Sequence, residues 1–82
     1  MSRFYFHVRS GTNITTDEEG TECADVAAAR EEALATARDV VADAVKASKN
    51  ETPDCFIIAD ADGTELMTVA FSEALPQRLR ER

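Results

Sequence analysis

Arg3-Phe4-Tyr5-Phe6-His7-Val8-Arg9 alternates with a period of two. Phe4, Phe6 and Val8 share one face, and Arg3, Tyr5, His7 and Arg9 share the other. Aromatic and β-branched content with that period reads as a strand with one buried face. Ser10-Gly11-Thr12-Asn13 follows as a turn, because Gly and Asn tolerate positive φ. Ile14-Thr15-Thr16 then returns as a short, polar strand suited to a sheet edge.

A strand with one apolar face needs a covering layer, and the next long segment supplies it. Residues 24–47 hold ten alanines and no Gly or Pro, which predicts a helix from Val26 to Ser48. At 100° per residue, Val26, Ala29, Ala33, Leu34, Ala37, Val40, Val41, Ala44 and Val45 form one apolar arc. Asp25 is placed to cap its N-terminus, where a carboxylate meets free backbone N–H groups and the positive dipole end. Pro53 stops the helix by forcing the residue before it out of the α region. The segment from Asp17 to Asp25 carries five acids, no base and Gly20, and reads as a loop.

Cys55-Phe56-Ile57-Ile58-Ala59, the turn Asp60-Ala61-Asp62-Gly63 and Leu66-Met67-Thr68-Val69-Ala70-Phe71 read as a second hairpin. Ser72 to Leu75 can make one helical turn before Pro76. The expected fold is therefore α+β: β-β-α-β-β, a four-stranded antiparallel sheet with one long helix on one face. A helix running back across the sheet favours strand order 2-1-3-4, since 2-1-4-3 needs a parallel pair. Residues 1–75 form the single domain, and residues 76–82 are expected to be a frayed tail.

Three segments of this chain, taken in order, carry a family resemblance. They are Phe6-His7-Val8-Arg9 leading to Gly11, Asp17-Glu18-Glu19-Gly20, and Ala28-Ala29-Arg30-Glu31-Glu32-Ala33. Asp60-Ala61-Asp62-Gly63 and Phe71-Ser72-Glu73-Ala74 extend it to about residues 3–75. The chain resembles a family of short alphaproteobacterial, largely rhizobial, proteins defined by a domain of unknown function. The resemblance implies a bacterial cytoplasmic protein and supplies no activity, cofactor or catalytic residue.

Charge narrows the function classes. With 9 basic and 16 acidic side chains the net charge is −7, and residues 17–75 hold 4 bases against 15 acids. Phosphate contacts need basic clusters, so nucleic-acid binding is disfavoured. No apolar run is long enough to span a bilayer, and no signal sequence precedes the first strand, so the expected location is cytoplasmic. In that compartment Cys23 and Cys55 read as free thiols.

The chemistry-bearing motifs are weak. Asp60-x-Asp62-Gly63-x-Glu65 suggests a calcium loop, but aligning Gly63 with the loop glycine puts Ile58 and Val69 at two ligand positions. A turn explains it better. His7 is the only histidine and has no zinc-ligand spacing around it. No nucleophile elbow accompanies Ser10 or Ser72. The expectation is no enzyme, no cofactor and no metal. Instead, Tyr5, His7 and Arg9 on one sheet face, with Asp17, Glu18 and Glu19 on the acidic segment, are candidate partner-binding residues. The leading expectation is a small interaction or regulatory module that homodimerises through the uncovered sheet face and can bind a protein partner. The alternative is an antitoxin-like or nucleic-acid-associated regulator.

Overall fold

The computed structural model describes residues 1–47 and 52–74. Strands β1 (Ser2–Ser10), β2 (Asn13–Thr15) and β3 (Thr21–Cys23) precede helix α1 (Val26–Lys46). Strands β4 (Cys55–Ala59) and β5 (Glu65–Ala70) follow, and a 3-10 turn (Phe71–Ala74) closes the described chain. The sheet is antiparallel throughout, in the order β2-β1-β4-β5, with β3 also paired to β1. That is the expected 2-1-3-4 arrangement with one strand added.

The added strand corrects the reading of residues 17–25 as loop. Thr21-Glu22-Cys23 pairs with Phe4-Arg3-Ser2, continuing along the side of β1 that β2 leaves after Thr15↔Val8. Thr21 and Cys23 alternate with Glu22, and Cys23 enters the core. Three residues amid acids give too short a period to stand out, and β1, already nine residues long, supplies the pairing.

Phe4, Phe56, Ile58, Val69 and Phe71 pack with Ala29, Ala33, Leu34 and Ala37 as the core, and Phe6 and Val8 lie against it. The alanines let α1 approach the sheet closely, and Ala29 and Ala37 are fully buried. Phe56 stacks on Phe71 at 4.8 Å between ring centres and meets Phe6 edge-on at 6.3 Å. Asp25 caps α1 as expected, accepting from the Ala28 N–H at 2.8 Å. The helix ends at Lys46 with Ala47 as its cap; the expected last residue, Ser48, lies outside the described residues, as do Leu75 and the tail. Val45 departs from the expected arc: it is 72% exposed. It sits about 80° round the helix from Ala37, on the arc's margin and in its last turn.

Candidate functional site

Register places the sequence-identified side chains. Tyr5, His7 and Arg9 stand opposite Ala59, Ile57 and Cys55, and Thr68 and Ala70 lie beyond Ile57 and Cys55 on β5. Arg9 is paired with Ile14 on the other side. These residues form the sheet face that α1 does not cover, since Phe4, Phe6, Val8, Phe56 and Ile58 point at the helix. Of the consecutive apolar residues of the second hairpin, Ile57 therefore faces away from α1, and strand alternation puts Leu66 with it. Ile57 is only 8% exposed, hemmed in by its neighbours, while Leu66 is 41% and Ile14 56% exposed. Arg9 Nε donates to Cys55 Sγ at 3.4 Å. Both cysteines are free and buried.

The acidic segment meets this face at His7. Asp17 lies in the gap between β2 and β3, where that side of β1 has no strand beside it. Its Oδ2 accepts the Phe6 N–H at 3.0 Å, the main-chain donor that a continuous strand would have taken. Its Oδ1 accepts the Glu19 and Gly20 N–H groups, each at 3.2 Å. Its own N–H donates to His7 Nδ1 at 3.0 Å. Burial by itself pushes the Asp17 carboxyl up; the N–H groups of Phe6, Gly20 and Glu19, and then His7, pull it down further, below the ordinary carboxylate value. Asp17 is thus turned into the fold, whereas Glu18 and Glu19 are exposed at the tip. The Glu19 carbonyl accepts from Arg3 at 2.9 Å, and Arg3 also reaches Glu22 at 3.4 Å.

The remaining motifs serve the backbone in the same way. Asp60 Oδ1 accepts the N–H groups of Asp62 and Thr64, making the expected hairpin turn. Glu73 accepts from Arg30 at 2.8 Å and from the Ala70 N–H at 3.0 Å, joining α1 to the closing turn. Asp54, which the sequence reading passed over, accepts the Gly11 N–H at 2.8 Å through Oδ2. Its N–H donates to Arg9 O at 2.8 Å, and its carbonyl accepts from Phe71 N–H at 3.0 Å. A lone Asp between Pro53 and an apolar run was the only signal for that junction. Burial pushes the Cys23 thiol up, and the charges of Glu32 and Asp25 push it further, so it stays protonated at neutral pH.

The family described as a domain of unknown function, DUF6894, matches residues 3–72. The chain belongs to that family. The matched region spans the strands, α1 and the start of the closing turn, so the DUF6894 domain and the fold described above are the same unit. No curated protein and no solved structure matches the chain. No helix among the described residues of this DUF6894 protein is long and apolar enough to cross a membrane.

Proposed function

We propose that this DUF6894 protein is a non-enzymatic interaction module that pairs with a second copy of itself through the sheet face opposite α1. The observation that carries the reading is the make-up of that face. Tyr5, Ile14 and Leu66 lie on it around the already buried Ile57, beside Ala59, Thr68 and Ala70, with Arg3, His7, Arg9 and Glu65 as its polar and charged groups. A single-layer sheet with one wet face ordinarily shows polar residues there. Tyr5, Ile14 and Leu66 keep exposed surface to bury, and full burial of such a side chain contributes about 1.5–3 kcal/mol, so the three together favour association of a small domain. A symmetric dimer is the usual solution and brings His7 and Arg9 to the interface. The exposed Glu18 and Glu19 at the tip of the acidic segment suit a basic region on a protein partner.

The non-enzymatic part rests on how the polar motifs are engaged. Asp17, Asp25, Asp54, Asp60 and Glu73 all accept backbone N–H groups of their own domain. Side chains held this way shape the chain and are poorly placed to exchange protons with a substrate. The regulator reading bound to nucleic acid gains little, since Arg3 and Arg30 are each paired with an acid.

Light scattering coupled to size exclusion tests the proposal. The expected mass at micromolar concentration is twice the 9.0 kDa of one chain. Ile14→Glu changes a side chain already 56% exposed, so it leaves the monomer's stability nearly unchanged and should dissociate the pair. A wild-type mass near 9.0 kDa that persists at high concentration sinks the reading.

A further inference from the structure

We infer that His7 and Asp17 form a pH-sensitive latch that fixes the acidic segment to the sheet. The inference goes beyond the self-pairing proposed above and does not depend on it. Two hydrogen bonds run in opposite directions across the gap between β2 and β3. The Asp17 N–H donates to His7 Nδ1, and the Phe6 N–H donates to Asp17 Oδ2, both at 3.0 Å. The first bond requires a lone pair on Nδ1, so it fixes the neutral ring with its proton on Nε2. An imidazolium carries N–H at both nitrogens and presents a donor to a donor. Protonation therefore abolishes the bond and turns the ring away from the Asp17 amide.

Among the described residues, the groups facing His7 are few. On its own strand they are Tyr5 and Arg9, and on β4 the nearest titratable group is Cys55, opposite Arg9. From the acidic segment Asp17 is in contact, with Glu18 and Glu19 following it. The helix packs on the other face; β2 brings Ile14 and Thr15 nearest, and β5 brings Thr68, with Glu65 further along the same face opposite Ala59. Protonated His7 gains attraction to the Asp17 carboxylate while losing the Asp17 amide, so the ring and the segment must rearrange together. The carboxylate itself stays ionised through this range, because its titration lies below the ordinary value.

His7 is the only histidine in the chain, which makes the readout clean. Nuclear magnetic resonance between pH 8 and pH 5 follows the His7 ring nitrogens and the Asp17 backbone amide together. The expected result is one shared transition, with exchange protection of the Asp17 amide falling about three- to tenfold as the ring charges, the weight of one net hydrogen bond. His7→Asn places a carbonyl oxygen where Nδ1 stands, and should keep the bond while removing the transition. The inference is overturned if the Asp17 amide is indifferent to ring protonation in the wild-type chain, or if its transition survives in His7→Asn. The wild-type titration decides the matter even where the variant folds poorly. Because both signals are read within one chain, the outcome is the same whether or not two copies pair.

Discussion

Gly20 is held by two independent constraints. Its φ is +73°, a region that side chains with a Cβ rarely adopt. A Cβ there would also stand 2.8 Å from Arg3 Cγ and 3.0 Å from both Phe4 O and Tyr5 Cε2. Gly63 has φ +87° but nothing within 4 Å of such an atom. Gly63→Ala should therefore cost only the conformational strain, about 1 kcal/mol, and Gly20→Ala clearly more. Urea denaturation of the two variants measures the order; equal losses would mean the crowding at Gly20 relaxes freely. Asp17, three residues earlier, makes a pH-dependent contribution. Its carboxyl titrates lower in the folded chain than in the unfolded one, so its stabilisation is complete above the ordinary carboxylate value, near pH 4. It is lost as pH falls through the lower folded value. Asp17→Asn should be less stable than wild type at pH 7, and the gap should close below pH 4. A gap constant from pH 7 to pH 3 would contradict the assigned bonds. The Asp17-x-x-Gly20 spacing carried a signal for this turn, since Asp side chains bind backbone N–H groups two and three residues on. Its link to His7 had none, because the partner atom is a main-chain N–H that no side-chain pattern encodes.

At the level of elements, the helix and its seat were the most legible features. Ten alanines, a capping Asp and the alternation of β1 each pointed to the same packing. Ala37, at the centre of the arc, is 0% exposed. Ala37→Glu would bury an unpaired carboxylate against Phe-rich sheet and should destabilise by several kcal/mol, enough to unfold most of the population. Thermal melting within a degree or two of wild type would mean that the helix can rotate off its seat. Less legible was the far edge. β5 carries a register irregularity beside Ile58/Ala59, so Leu66 has no partner of its own on β4. At its other end the Ala70 N–H is taken by Glu73. A bulge and a capped donor shorten the stretch of edge on which another chain could pair. Glu73→Ala removes that cap and the 2.8 Å pair with Arg30 together. It should cost about 1–2 kcal/mol by urea denaturation, whereas Glu73→Gln, which keeps the acceptor oxygen, should recover most of it.

For the whole molecule, charge and face chemistry pull in opposite directions. Each chain carries −7, so two copies approaching one another repel at long range. The uncovered face that would join them holds Ile14, Ile57, Leu66 and Tyr5, with Arg3, His7, Arg9 and Glu65 as its polar and charged groups. Contact between two such faces is short-ranged and largely indifferent to salt, while the repulsion between net charges is screened over about 30 Å at 0.01 M salt and about 10 Å at 0.1 M. Adding salt should therefore tighten self-pairing. A partner recruited by Glu18 and Glu19 through opposite charge should respond the other way, because screening weakens attraction as it weakens repulsion. The dissociation constant of the self-complex, measured by sedimentation at 0.01 M and 0.3 M salt, is expected to fall across that range. A constant that rises with salt would show that ionic contacts hold the two copies together, and would move the interface from the apolar face to the acidic segment and the arginines.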